Sequence, residues 1–234
     1  MIRDITRRLA RGFPSWPGDP PFDLDRTSAL DRGDGWEVTR LSMSLHAGTH
    51  LDAPSHVLAG GGGVEGIALE TLIGPAEVID IRHAGVIEPE HLPHALMRRL
   101  AGGRAGAEAP RRILFRTESA ETLPDLPGAF SSLGERTAAL LAGAGARLVG
   151  IDTPSVDAPS SAGLPVHRLL AAEGLAILEG LDLRDVPAGR WWLIALPLRL
   201  EGVEASPARA VLLDAAPAQG AGIEGIVDPS VRVS

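Results

Sequence analysis

SSLGERTAALLAGAGARLVGIDTPSVDAPSSAGLPVHRLLAAEGLAILEGL, residues 131–181, is the stretch whose reading decides the fold. Its first part, SSLGERTAALLAGAG (131–145), predicts a helix, with Ser132 and Glu135 at capping-box spacing and glycines to end it. ARLVGID follows as a strand. PVHRLLAAEG is then a helix opened by Pro165 and closed by Gly174, and LAILEGL is a strand again. Helix, strand, helix, strand within one stretch means the α/β class.

The flanks agree. Downstream, WWLIALPLRL and ARAVLLD add strands to the second half. Upstream, IRDIT (2–6) reads as an opening strand before the turn-rich GFPSWPGDPPF, and WEVTRLSMSLH (36–46) alternates well enough for another. GPAEVIDI (74–81) and RRILFRT are strands. EPEHLPHALMRRL (88–100) is a helix with acidic residues early and arginines late, as the helix dipole prefers. AGGRAGAEAP (101–110) is a loop. No internal repeat is visible, so residues 1–214 are expected to form a single α/β domain, and the small-residue-rich 215–234 a loosely attached tail.

Composition narrows the function classes. A net charge of -8 and a pI near 5.4 give no basic footprint for nucleic acid. No apolar run reaches membrane-helix length, and MIRDITRRLARGF lacks the unbroken apolar segment of a secretory signal, so the expected location is cytoplasmic. The chain contains no cysteine, which removes disulfides, thiolate metal sites and cysteine nucleophiles. It also has no lysine, which excludes Schiff-base chemistry and the lysine-bearing phosphate loop. GGGVEG (61–66) and GAGIEG (220–225) match GxGxxG literally, but neither lies between a strand and a helix with an acidic residue some twenty positions on. With 28 glycines such matches arise by chance.

SLHAGTHLDAPSHV (44–57) is different in kind. It holds three of the seven histidines. His46, His50, Asp52 and His56 all have even numbers, so an extended chain running into a loop brings them to one face. A helix would turn Asp52 about 200° away from His50 at roughly 100° per residue, and Gly48 and Pro54 oppose a helix besides. Imidazoles with a carboxylate form a ligand set for zinc, manganese or iron. The plainer alternative is a set of surface histidines with Asp52 capping the turn before Pro54. His56 is either a further ligand or a base just outside the metal's shell. Downstream, LAILEGL sets Glu179 on one strand face with Leu175 and Ile177, a costly position for a carboxylate unless it is paired or bound to a cation. His167, taken alone, reads as an exposed helix residue. His83, His91 and His94 lie outside any ligand pattern and read as surface groups.

HAGTHLDAPSH, followed by His167 and Glu179 twelve apart, resembles the cyclase-type metal hydrolases. SWPGDPPF (15–22), ETLIGPAEVID (70–80), LVGIDTPSVD (148–157), AILEGLDL (176–183) and LIALPLRLEGVEASPARAVL (193–212) extend the resemblance over nearly the whole chain and toward the family's bacterial kynurenine formamidase (arylformamidase) branch. The chain departs from that pattern in the 101–110 loop, the glycine run 60–63, PVHRLL and the tail. The resemblance implies a mixed β-rich core flanked by helices, a homodimer, and two zinc ions per subunit, with manganese as the alternative metal. Position by position it makes His46, His50, Asp52, His167 and Glu179 metal ligands, His56 the catalytic acid/base, and Trp16 the aromatic wall of the substrate pocket. The implied reaction is hydrolysis of N-formyl-L-kynurenine to L-kynurenine and formate by a metal-activated hydroxide, a step of tryptophan degradation. Rival readings are a hydrolase of the same family acting on a cyclic amide, lactone or polyketide-like acid, and a non-catalytic protein whose metal is structural.

Overall fold

Chain closure, rather than a flat stack of βαβ units, organises this molecule. The computed structural model describes residues 1–81, 83–103, 109–117 and 130–214. The expected tail, GAGIEG and the middle of the 101–110 loop therefore lie outside the described residues. Twelve strands are described: β1 (Ile2–Asp4), β2 (Asp23–Ser28), β3 (Val38–Ser42), β4 (His50–Asp52), β5 (Ile73–Ile81), β6 (Val86–Ile87), β7 (Arg112–Thr117), β8 (Ser132–Leu133), β9 (Leu148–Ile151), β10 (Ala176–Glu179), β11 (Gly189–Pro197) and β12 (Ala205–Leu213). The helices are α1 (Leu69–Leu72), α2 (His94–Leu100), α3 (Glu135–Gly143) and α4 (Pro165–Ala172).

Eight strands form one mixed sheet in the order β1-β12-β11-β5-β7-β9-β10-β4. β5, β7, β9 and β10 run parallel to one another, and the remaining pairings are antiparallel. β4 also pairs with the start of β12, Ala205 lying opposite Asp52, so the sheet closes on itself as a barrel. β1 takes the far end of the same edge of β12, with Ile2 opposite Leu213. A bridge between Thr6 and Leu181 carries it on to the end of β10. Closure leaves few unpaired edges, and it makes a single domain with a β-barrel core out of what the sequence pattern alone registers only as α/β.

Strand alternation then splits the core in two. Val78, Leu114, Leu148, Leu178, Leu51 and Leu212 fill the barrel interior. The opposite face of the parallel strands carries Ile79, Ile113, Phe115, Val149, Ile151 and Ile177, covered by Leu96 and Leu100 of α2, Ala138 and Leu141 of α3, and Val166 and Leu170 of α4. Fully burying side chains of this size stabilises by about 1.5–3 kcal/mol each. Residues 175–179 obey the same alternation, so Glu179 shares the helix-covered face with Ile177.

Most expected elements form, with three corrections. The capping box of Ser132 and Glu135 is absent. Ser132 belongs to β8, which pairs parallel with β6, and Gly134 precedes α3 without a side-chain cap. The segment 88–100 is a short 3-10 turn (Pro89–His91) followed by α2, divided at Pro93 because proline cannot donate to a continuing helix. The strand expected over 36–46 stops at Ser42, where its pairing with β2 ends. That hairpin is solvent-exposed, with Trp36, Val38 and Leu41 among the exposed large apolar side chains. Among the described residues no helix is long and apolar enough to cross a membrane.

Candidate metal centre

The site lies on the outer face of the barrel, where α4 covers β10 and β4. Antiparallel register sets His50 directly opposite Glu179 and Asp52 opposite Ile177. Leu51 between them points into the barrel core, so His50 and Asp52 face α4. The parity expectation holds within β4 and fails outside it. His46 lies in a turn, not on the strand, because Gly48 adopts φ 71° and breaks the extended run. Pro54 then opens a 3-10 turn that ends on His56. The four groups converge through turn, strand and turn.

Close backbone approach secures this corner. Gly180 has φ 64°, and a Cβ there would collide with the carbonyl of Gly48. Only glycine permits that conformation and that contact together. Thr49 Oγ1 donates to Gly180 O at 2.6 Å, tying the β4 segment to the residue after Glu179.

His167 comes from the first turn of α4. Leu164, before it, is held at φ 51°, the one positive-φ residue other than glycine among the described residues. Such strain persists only where surrounding structure imposes it. Here it starts α4 so that His167 enters the site, 2% exposed, not on the solvent-facing side that its sequence context alone allows. Arg168 secures the turn, donating from Nη1 to Val57 O at 2.6 Å, one residue beyond His56.

Around Asp52 the geometry is dense. His46 Nδ1 lies 3.0 Å from Asp52 Oδ1, His50 Nε2 lies 3.4 Å from Oδ1, and His167 Nε2 lies 3.2 Å from Oδ2. Glu179 approaches His50 Nε2 at 3.3 Å and His167 Nε2 at 3.1 Å. His56 closes the ring of imidazoles, its centroid 4.4 Å from that of His46 and 5.5 Å from that of His167. Two groups of donors are spaced to hold a cation, His46–Asp52–His56 and His50–Asp52–Glu179, with Asp52 in both.

Three observations fit these residues to a metal. First, His50 Nε2 and both Asp52 oxygens are buried without any aligned hydrogen bond. Orphaned buried polar atoms are costly, and a cation satisfies all three. Second, two histidines are oriented from behind. His50 Nδ1 donates to Gly48 O at 3.1 Å, and His167 Nδ1 donates to Asp157 Oδ2 at 2.7 Å, which leaves each Nε2 facing the carboxylates. This is the arrangement that prepares histidine for a metal. Third, charge is concentrated. Burial works against a charged His50, but Asp52 and Glu179 carry it up to about 10. His167 is likewise opposed by burial and pushed up to about 12 by Glu179, Asp157 and Asp52. Burial raises Asp52 and Glu179, yet the adjacent imidazoles hold both below the usual carboxylate range. Without a cation these directions favour protons on both imidazoles at the place one would take. Metal binding must displace them. Burial lowers the pKa of His56, which favours its neutral form.

All five expected ligands, and His56, are therefore brought together. Asp157 is the functional residue that sequence reasoning missed. Besides His167 Nδ1, it accepts from the backbone N–H groups of Val166 and His167, so it also caps α4. Its position nine residues before Val166, after the IDTPS turn, gave no helical-cap spacing to find it by.

A cavity of about 520 Å³ opens onto His46, His50, His56, His167 and Glu179, a size suited to a small organic ligand. Trp16 lines it, set edge-on to Phe130 at 6.3 Å. Phe13, Leu164, Arg7 and Arg184 complete much of the wall.

Comparison with known proteins agrees with this geometry. A family model described as putative cyclase matches residues 3–158. The fold is similar to a structure described as a potential metal-dependent hydrolase with cyclase activity, at 31% identity over 93% of this chain and 99% of that one, TM-score 0.76. It is also similar to a predicted metal-dependent hydrolase from Bacillus stearothermophilus, at 30% identity over 91% and 97% of the two chains, TM-score 0.73. A third similar structure is isatin hydrolase A from Labrenzia aggregata bound to benzyl benzoate, at 28% identity over 91% and 93%, TM-score 0.73.

Proposed function

The chain belongs to the cyclase family and has the fold of that family's metal-dependent hydrolases, and from this premise we propose that it hydrolyses aryl amides, with N-formyl-L-kynurenine as substrate and L-kynurenine and formate as products. The observation that carries the reading is the set of orphaned His50 and Asp52 donor atoms at the wall of a cavity that is also lined by Trp16 and Phe13.

His46, His50, Asp52, His167 and Glu179 are the residues that would hold the two zinc ions of this reading, and the same donor set would accept manganese. When bound, a divalent cation supplies Lewis acidity that lowers the pKa of water from 15.7 to roughly 7 and polarises a carbonyl. The protein's own groups do the rest. Trp16 and Phe13 offer flat apolar surface to an aryl ring. His56, neutral through burial, accepts a proton from the attacking water as its oxygen bonds to the formyl carbon. It returns that proton to the anilide nitrogen as the C–N bond breaks, since an unprotonated anilide is a poor leaving group. The other water proton leaves with formic acid, which ionises to formate. Proton transfer of this kind contributes about 10²–10⁴-fold.

A second reading has one observation in its favour. Isatin hydrolase A is among the similar structures, and opening a cyclic aryl amide breaks the same kind of bond. We further propose a cytoplasmic homodimer.

Rates on N-formyl-L-kynurenine and isatin, measured with protein stripped of metal and reloaded with zinc, test the proposal. Zinc-dependent turnover of the formamide is expected. Turnover of isatin alone would transfer the assignment to the cyclic amide. Stoichiometric zinc without turnover of either would keep the site but overturn both substrates, sending the search to other cyclic amides and lactones.

A further inference from the structure

Arg7 stands apart from the other charged groups of the cavity. Burial works to lower it, yet among the described residues it makes no ion pair, and its one side-chain hydrogen bond runs from Nη2 to the backbone carbonyl of Asp152 at 2.8 Å. Its Nε is buried with no partner. A guanidinium carries five donors in a planar fork that matches a carboxylate, and most of this fork is uncommitted.

The nearby acids are engaged elsewhere. Asp182 takes Arg184 through two contacts of 2.7 and 2.9 Å. The Asp152 carboxylate accepts from Thr117 N and Thr117 Oγ1, both at 2.8 Å. Arg7 and Arg184 both line the cavity, and the two acids nearest Arg7, Asp182 and Asp152, already accept from Arg184 and from Thr117.

Arg7 is also fixed relative to the metal-binding strands. It follows the Thr6–Leu181 bridge, at the junction where β1 gives way to β4. Its backbone N–H donates to Thr49 Oγ1 at 2.9 Å, and that hydroxyl donates in turn to Gly180 O. Thr49 adjoins His50, and Gly180 adjoins Glu179. A two-bond relay therefore sets the start of the arginine side chain against both strands of the metal centre.

Building on the reading above, we propose that Arg7 is a specificity residue: its guanidinium forms a carboxylate-recognition subsite in the cavity, so that the preferred aryl amide carries a carboxylate remote from the scissile bond. Arg7 takes no part in bond breaking. It positions the substrate, and its contribution falls mainly on KM. The subsite favours a carboxylate-bearing formamide over a cyclic amide without a carboxylate, such as isatin.

The test compares N-formyl-L-kynurenine with N-formylkynurenamine, the same molecule without its carboxylate, on zinc-loaded wild type, Arg7→Met and Arg7→Lys. Wild type should prefer the carboxylate-bearing substrate, and Arg7→Met should lower that preference about 10- to 100-fold, through KM more than kcat, since a hydrogen bond to a charged group is worth roughly that factor. Arg7→Lys should restore part of it. Equal wild-type rates on the two substrates, or parallel losses in Arg7→Met, would overturn the subsite. If wild type hydrolyses neither, the formamidase reading fails separately, and calorimetry with L-kynurenine and kynurenamine decides the subsite alone. A binding preference for L-kynurenine that disappears in Arg7→Met supports it, and no preference rejects it.

Discussion

The molecule contains two gatherings of histidine, and they differ in everything except the residue. At the metal centre, His50 and His167 are almost completely buried, each with Nδ1 engaged from behind and Nε2 facing carboxylates. At the other, His83 and His91 stack nearly parallel with centroids 3.5 Å apart, and His91 Nδ1 accepts from the backbone N–H of Glu88. Among the described residues no carboxylate completes a cation-holding group there. Crowded imidazoles alone do not make a metal site. Buried carboxylates facing Nε2, with acceptors holding Nδ1, separate the two.

The sharpest way to break this comparison is Asp52→Asn, which removes the carboxylate common to both donor groups. Zinc stoichiometry should fall and activity should drop by more than the roughly 100-fold typical of outer-shell changes. Full zinc content by mass spectrometry or elemental analysis would remove Asp52 from the centre. His56→Ala comes next. It should retain zinc and lose about 10²–10⁴-fold in kcat. Loss of metal together with activity would instead make His56 a ligand, completing the group it forms with His46 and Asp52.

Asp157→Asn probes the support behind His167. It replaces one acceptor oxygen with an amide that faces N–H donors, and zinc affinity should weaken by about 10- to 100-fold. A competition titration against a chelator reads this directly, and unchanged affinity would show that His167 needs no orienting partner. The smallest effect belongs to the contrasting pair. His91→Ala should leave zinc content and turnover intact and cost about 1 kcal/mol of stability through the lost Glu88 hydrogen bond. A loss of metal in this variant would erase the distinction between the two gatherings.

Much of this was legible in the chain. Pro165 and Gly174 bound α4 as their local chemistry requires, and the runs around 74–81 and 175–181 are strands because their apolar patterns suit buried sheet. Glu179 was marked by sharing a strand face with Ile177. His167 was marked only by the family resemblance, because whether a helix position faces a core or solvent depends on what packs against it. Asp157, though it ends the resemblance segment LVGIDTPSVD (148–157), was given no role there, and Arg7 was silent, for a similar reason. Each acts through a partner distant in sequence, His167 for one and the Thr49–Gly180 contact for the other.

The sequence by itself therefore determined residue chemistry and local conformation: a metal-competent set without cysteine or lysine, the α/β class, and the ends of most elements. Tertiary structure decided where those groups meet. Local propensity acts over a few residues, whereas the register of β4 between β10 and β12, the barrel closure it completes and the seating of α4 over it are long-range pairings. Those pairings bring His50, Asp52, His167 and Glu179 within 3.4 Å contacts of one another. They also leave Arg7 with uncommitted donors in the same cavity.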